Sequence, residues 1–439
     1  MGAIANSPFV WLKFDEKGVV DAAGLDELSR VLNSGGVDEL VVMSHGWKND
    51  ERDAEKLYRT LWTHCCAFLA PERPARITVG GVLWSSKAYP DNFDSEMLAA
   101  VSQAGALGRR DAAAVRDLDD ADFDRILAEF ENFIGPGSRA AIAAARVAAS
   151  GLTANEAHDL VTFGARAVAA DACQSDVELA KDAAPVARSA ADAAKAKTLL
   201  LALTAPPRLQ IGAGVVKAQG LGDIVQSLFS GPKAAIARFL NQLTYYEMKK
   251  RAGVVGNGLA ESALQSLAPA RPIRLHLVGH SFGARLVTAA ADRLAAPGAL
   301  DFFSLTLLQG AYSHNGLAQN LGAFPSVVGK PTGPIVITHT HNDIACTLAY
   351  AIASRLSRDT AQGIGDRRDE FGAMGANGPQ RLEPTVLAPE DETGAFRPER
   401  GKVNPILADR FIVKTESVDA HNNVDNKECG RLLAATLSC

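Results

Sequence analysis

The residues best suited to chemistry lie in the run Gly279-His280-Ser281-Phe282-Gly283. A bare Gly-x-Ser-x-Gly pattern is common by chance, so its neighbourhood decides its meaning. The apolar residues Leu275, Leu277 and Val278 precede it and Ala284-Arg285-Leu286-Val287 follows, which puts the serine at a strand-to-helix turn. Glycines at such a turn let backbone segments approach without a Cβ clash, and the serine hydroxyl projects above the sheet as a nucleophile. The backbone N–H of Phe282 then stands at the helix N-terminus, placed to donate to an oxyanion.

A serine hydroxyl is a weak nucleophile until a base takes its proton. Of the nine histidines, His421 alone lies after residue 341, in Ser417-Val418-Asp419-Ala420-His421-Asn422 and beyond an expected strand at Phe411 to Lys414. The base needs an acid to fix its tautomer and stabilise the imidazolium. Asp343 fits, because Pro334 to Thr338 is apolar and ends in His339-Thr340-His341-Asn342-Asp343. Asp419 is a reserve candidate, and capping of a helix that starts at Ile344 is the alternative role for Asp343. A second oxyanion donor is expected where Leu40-Val41-Val42-Met43 runs into Ser44-His45-Gly46-Trp47, with Trp47 or Gly46 supplying the N–H.

Such groups need a rigid frame. Apolar runs at Phe9 to Phe14, Leu40 to Met43, Ile77 to Trp84, Ile273 to Val278, Phe303 to Leu308, Ile335 to Thr338 and Phe411 to Lys414 read as buried strands. Helical patterns at Leu25 to Leu32, Ala284 to Leu294 and Thr347 to Leu356 separate most of them. Near-continuous apolar strands alternating with helices predict an α/β fold with a mainly parallel sheet covered on both faces.

Residues 86–233 break the alternation. The stretch is rich in Ala, Asp and Arg and reads as several helices, with a capping box at Thr153 and Glu156 ahead of a face carrying Leu160, Phe163 and Ala167. We therefore expect an α/β domain formed by 1–85 and 234–439 and a helical insertion over 86–233 that would act as a cap. The apolar patches Leu199 to Leu203 and Ile211 to Val216 are expected in the insertion's core, an acyl pocket being the alternative. Tyr245 to Leu267 reads as a helix interrupted near Gly256 and Gly258, and 361–408, rich in Gly, Pro and charge, as a long loop.

Bulk properties narrow the class. Hydrophobic residues make up 47 % of the 439, ample for a packed core, and the net charge of −5 does not favour nucleic acid or anionic lipid. No apolar run reaches the roughly 20 residues of a membrane-crossing helix, and Met1 to Asp15 lacks the pattern of a secretory signal. Six sparse cysteines without metal-ligand spacing predict reduced thiols and a cytoplasmic setting.

Together the elbow Gly279 to Gly283, His45-Gly46-Trp47, Asp343 and His421 resemble the α/β-hydrolase superfamily over about two-thirds of the chain. The resemblance implies a Ser281–His421–Asp343 acyl-enzyme mechanism on a small-molecule ester or acyl substrate, with no metal and no organic cofactor. Amide or peptide hydrolysis is the runner-up. The chain departs from the common pattern in carrying its large insertion before the elbow. Two other readings compete: a non-catalytic binding or scaffold protein, and a metallohydrolase using His339, His341 and Asp343 in a His-x-His-x-Asp arrangement.

Overall fold

In the computed structural model the described residues are 2–47, 49–86, 116–169, 176–204, 229–295, 298–343, 345–346, 372–382, 396–415 and 418–439. The chain divides into two compact units, one of Met1–Ser86, Met248–Cys346 and Gly372–Cys439, the other of Lys87–Glu247 and Thr347–Phe371.

The first unit is built on strands β1 (Gly2–Ile4), β2 (Ser7–Lys13), β3 (Glu39–Ser44), β4 (Ile77–Leu83), β7 (Ile273–His280), β8 (Leu300–Leu308), β9 (Ile335–His339) and β10 (Val403–Leu407); β5 and β6 belong to the other unit. They form an eight-stranded sheet in the order β1-β2-β4-β3-β7-β8-β9-β10. β1 runs antiparallel to β2, and every other neighbouring pair is parallel. Helices α1 (Ala22–Leu32), α2 (Glu51–Cys66), α9 (Phe282–Arg293), the turn α10 (Met374–Asn377) and α11 (Lys427–Ser438) join them, with α8 (Gly231–Gly258) entering the unit at Met248.

Side chains alternate across each strand, so a buried sheet fills both faces with apolar residues. Val41 and Met43 of β3 join Tyr58, Leu61 and Trp62 of α2 and Leu433 and Leu437 of α11 in one core cluster. Val42 lies with Leu12 and Leu40 around Gly80, on the opposite face. The class is α/β, as the alternation predicts.

Two expectations need correction. Phe411 to Lys414 is not a strand: Ile412 is buried in a turn that packs against the α2–α11 cluster, so its apolarity serves the core and not a ladder. The last strand is β10, inside the stretch read as loop. Its composition hid it, because Asn404 and Pro405 lower β-propensity. Among the described residues β10 pairs with β9 alone, at the edge of the sheet, and an edge strand can carry a proline whose missing N–H faces away from its partner. The regular α8 ends at Gly258, within the interruption expected near Gly256 and Gly258. A Cβ on Gly256 would come within 2.3 Å of the Leu286 carbonyl oxygen, and one on Gly258 within 1.9 Å of that of Gly18. These glycines are packing contacts of a helix that runs to Gly258 before loosening into wider and tighter turns at Leu259–Ser266.

The second unit carries α3 (Asp120–Ile134), α4 (Arg139–Ala148), α5 (Ala154–Ala169), α6 (Val177–Ser189), α7 (Ala193–Ala202) and the first part of α8, with a short parallel pair of β5 (Arg116–Asp117) and β6 (Phe229–Ser230). The capping box is formed: the Thr153 N–H donates to Glu156 Oε2 at 2.8 Å, and the Glu156 N–H to Thr153 Oγ1 at 3.4 Å. Leu199, Leu200 and Leu203 are buried and Leu201 is exposed. The expected helix Thr347 to Leu356, the patch Ile211 to Val216 and much of 361–408 lie outside the described residues. Among the described residues no helix is long and apolar enough to cross a membrane.

At the N-terminal end of the sheet, Glu39 accepts both arms of the Arg73 guanidinium at 2.9 Å and the His276 ring Nε2–H at 3.1 Å. Arg73 also donates to the Leu437 carbonyl at 2.7 Å, tying α11 to β3. Burial raises the Glu39 pKa, but its hydrogen bonds to His276 and Arg73 and the Arg73 charge outweigh that and hold it at about 2. A folded-state pKa below the unfolded value gives stability that is present above the ordinary carboxylate pKa and lost as pH falls toward 2. The shift corresponds to roughly 3 kcal/mol. Glu39→Gln should lower the melting temperature at pH 7 and flatten its fall between pH 4.5 and 2, and a variant with the wild-type acid profile would show that Glu39 is not the controlling group.

Candidate active site

Ser281 stands where β7 ends and α9 begins, held at φ 58°, ψ −123°. Few residues other than glycine adopt this backbone, and it persists only where its surroundings over-determine it. Those surroundings are explicit. The Ser281 N–H donates to the Leu308 carbonyl at 3.0 Å, and its own carbonyl accepts from the N–H groups of Ala284 and Ala311 at 3.1 Å. Gly279 and Gly283 make the sharp turn sterically possible: a Cβ on the first would sit 2.3 Å from the Gly283 carbonyl oxygen, and one on the second 2.3 Å from that of Ser44.

The structure brings together the three residues singled out in the sequence. Ser281 Oγ lies 2.9 Å from His421 Nε2, and His421 Nδ1 lies 2.8 Å from Asp343 Oδ2. Because a carboxylate accepts, Nδ1 carries the proton and Nε2 is left to accept the serine hydroxyl. His421 sits in the turn that follows β10 and the buried Ile412. Asp343 follows β9 and also fills the alternative role: its Oδ1 accepts the Cys346 N–H at 2.9 Å, three residues on, as a helix-capping side chain does. Asp419 is engaged locally, accepting from the Asn422 backbone and side chain at 3.0 and 2.8 Å.

Asp343 and His421 are electrostatically coupled. Burial alone would raise the Asp343 pKa, but the charge and hydrogen bond of His421 and the donors Cys346 N–H and Gln309 keep it below the ordinary carboxylate value. Burial alone would lower the His421 pKa, and the Asp343 charge carries it well above 6.5. His280, between the turn glycines, is pushed by burial to about 3 and stays neutral. Its Nε2–H donates to the His421 carbonyl at 2.9 Å, so the residue before the serine fastens the loop that carries His421.

The loop after β3 packs directly on the serine. A Cβ on Gly46 would lie 2.5 Å from the Ser281 Cβ and 3.1 Å from its Oγ. Buried His45, pushed by burial to about 4 and hence neutral, donates from Nδ1 to the Gly46 carbonyl at 2.9 Å. In a trans peptide the N–H points opposite to the C=O, so this bond turns the Trp47 N–H away from the His45 ring. Tyr58 and Trp84 lock His45 in turn: the His45 N–H donates to the Tyr58 hydroxyl at 2.7 Å, and the Trp84 indole N–H to the His45 carbonyl at 3.1 Å. The Trp47 ring meets that of Phe282 edge-on at 6.1 Å. Gly46→Ala should therefore displace the Ser281 side chain, and a reaction that depends on its hydroxyl should slow in kcat by about 10²-fold with a nearly normal melting curve. Wild-type kcat in that variant would show that the loop yields without moving Ser281.

His339, His341 and Asp343 do not converge as metal ligands. His341 Nδ1 pairs with Asp409 Oδ2 at 2.8 Å, His339 is buried beside Gly378, and Asp343 faces His421. Among the described residues, Asp343, Cys346 and His421 do bring ligand atoms within 4.8 Å of one another. Burial pushes the Cys346 thiol up to about 12.

Sequence reasoning did not single out Gln309, Cys346, Tyr58 or Trp84, all of which act on the site through packing or hydrogen bonds, and only the fold places them there. No family model, curated protein or solved structure matches this chain.

Proposed function

We propose that the chain is a serine hydrolase of the α/β-hydrolase kind that cleaves carboxylic esters of a small-molecule or acyl substrate through a covalent acyl-enzyme. The observation that carries the reading is the hydrogen-bonded series Ser281–His421–Asp343 with the serine at a strained strand-to-helix turn. The position of the turn adds support. Strand order reverses at β3, whose neighbours are β4 and β7, and ligands of open α/β sheets bind at the carboxyl ends of strands beside such a reversal. Ser281 follows β7 and Gly46 follows β3.

In this mechanism His421 takes the hydroxyl proton as Ser281 Oγ attacks the ester carbonyl carbon. The tetrahedral oxyanion is stabilised by the backbone N–H groups of Phe282, at the start of α9, and of Trp47, with Gly46 the reserve donor. Asp343 stabilises the imidazolium. His421 then protonates the departing alkoxide, the C–O bond breaks, and an acyl-Ser281 ester remains. Water enters, loses its proton to His421 and displaces the acyl group as a carboxylic acid. The chemistry calls on no metal and no organic cofactor, and a cytoplasmic setting remains the expectation from cysteine usage.

The test is labelling with a fluorophosphonate probe together with hydrolysis of short- and medium-chain p-nitrophenyl esters, in wild type and Ser281→Ala. The reading predicts labelling and turnover in wild type, neither in the variant, and a chain-length preference that describes the acyl site. Cleavage of anilides in preference to esters would move the assignment to amide hydrolysis. Absence of both labelling and turnover in folded wild type would overturn the reading in favour of a binding protein.

A further inference from the structure

Gln309, the residue that follows β8, is fully buried and adopts a left-handed backbone, φ 47°, unusual for a residue with a side chain. Its amide uses the full donor capacity of its NH2 group. Nε2 donates to Asp343 Oδ2 at 2.9 Å and to the Gly375 carbonyl at 2.9 Å, while Oε1 accepts the Thr338 hydroxyl at 3.1 Å. The partners fix the orientation of the amide, because a carboxylate and a carbonyl need the NH2 end and a hydroxyl proton needs the oxygen end. The backbone completes the cage: the Gln309 N–H donates to Thr338 Oγ1 at 3.1 Å, and a Cβ on Gly375 would come within 2.6 Å of the Gln309 carbonyl carbon.

The Asp343 oxygen that accepts from Gln309 is the one that accepts from His421. Gln309 and the Cys346 N–H thus hold the two carboxylate oxygens separately, so the carboxylate cannot rotate about its own axis. We propose that Gln309 is a positioning residue that orients the Asp343 carboxylate and tempers its basicity toward His421, making a four-membered hydrogen-bonded series Ser281–His421–Asp343–Gln309. The inference deepens the proposed function and rests on it for its kinetic arm. Strain kept at a buried, fully bonded glutamine is understandable if the side chain is needed at that place.

Removing an N–H donor concentrates negative charge on the oxygen that faces His421, which makes the histidine more basic. Among the described residues the other ionisable neighbours of the pair are Cys346 and His280, the first a protonated thiol and the second a neutral ring. Gln309→Met keeps length and an unbranched side chain but has no N–H. Gln309→Glu keeps shape and places a second carboxyl beside Asp343, so the two share one proton until high pH removes it.

The experiment follows kcat and KM of p-nitrophenyl ester hydrolysis against pH in the full-length chain. In parallel, proton NMR follows the His421 Nδ1 proton, and melting curves report folding. For Gln309→Met the expected result is a kcat lower by about 10²-fold with little change in KM. The acid limb should move to higher pH by about half a unit to one unit, and the Nδ1 resonance should shift. For Gln309→Glu we expect a new alkaline limb, because loss of the shared proton sets two carboxylates against each other. A kcat that falls while acid limb and resonance stay in place would assign Gln309 a packing role and overturn the inference, as would an unchanged kcat. Should Gln309→Met fail to fold, the alkaline limb of Gln309→Glu decides in the same way. If wild type cleaves no ester the proposed function fails, and the NMR arm still tests the Gln309–Asp343–His421 link.

Discussion

Ser281→Gly is expected to eliminate ester turnover and to give a protein harder to unfold than Ser281→Ala. Both changes remove the proposed nucleophile, and loss of the serine from a working triad lowers kcat by about 10⁶-fold. They part company at the backbone. At φ 58°, ψ −123° a side chain is strained by about 1–3 kcal/mol, a cost that alanine retains and glycine does not. Glycine returns about 0.5–1 kcal/mol of this through the greater freedom of the unfolded chain. A net advantage of about 1 kcal/mol for Ser281→Gly over Ser281→Ala follows. Because both lose the hydrogen bond to His421, the difference isolates the backbone. Thermal melts of the two variants and wild type, with ester hydrolysis on the same samples, test it. Equal melting temperatures for the two would mean that the turn stores no strain at Ser281, and residual turnover near wild type would remove Ser281 from the chemistry.

The second large effect is expected from Asp343→Asn, a loss of about 10⁴-fold in kcat. Asp343 is met by donors: Cys346 N–H on Oδ1, and Gln309 Nε2–H and His421 Nδ1–H on Oδ2. An asparagine must turn its NH2 toward one of these groups, either opposing the Cys346 N–H or driving His421 into the wrong tautomer. In both cases the negative charge beneath the imidazolium is gone. The sign of the pH effect follows from its cause: burial lowers the His421 pKa and the Asp343 charge raises it well above 6.5, so removing that charge lets it fall. In the proposed mechanism His421 acts as a base in its neutral form, so the acid limb of kcat/KM should move to lower pH as the maximum collapses. Gln309→Met is expected to move the same limb the other way, which makes the pair of variants a test of direction as well as size. A limb that does not move in Asp343→Asn would show that another group sets the His421 pKa.

Much of this arrangement was legible in the sequence, because short-range rules govern it. Apolar runs at β2, β3, β4, β7, β8 and β9 declare buried parallel strands, since a strand covered on both faces has no polar side to show. Gly279, Gly283 and Gly46 mark backbone that must pass close to other backbone, and each does so. The position of Ser281 between an apolar run and a helical pattern anticipates its turn, and His421 and Asp343 stand out by residue type and order along the chain.

Other features were not legible, for identifiable reasons. β10 is hidden by Asn404 and Pro405, which only the open side of an edge strand tolerates, and Phe411 to Lys414 imitates a strand because a buried turn is as apolar as one. Gly256 and Gly258 mark the end of the regular helix, but their close approach to Leu286 and Gly18 is not legible in the sequence. β1 is too short to carry a pattern, and its antiparallel pairing depends on a tight turn through Ala5 and Asn6, both at positive φ.

What the sequence by itself determined is the set of chemical groups and the local backbone that carries them: a serine at a forced turn, a histidine and an aspartate in chain order, and strands to hold them. Only the tertiary structure decided the fine adjustment of those groups. His280 holds the loop of His421, His45 holds the carbonyl of Gly46, and Gln309 holds the carboxylate of Asp343. The residues of the first and last pairs come from different strand ends or from buried loops whose side-chain directions no periodicity encodes. Hydrogen bonds of this kind depend on angles and on distances of about 3 Å. Periodicity specifies which face of an element is buried, and it is the packing of elements against one another that brings particular polar atoms within that distance.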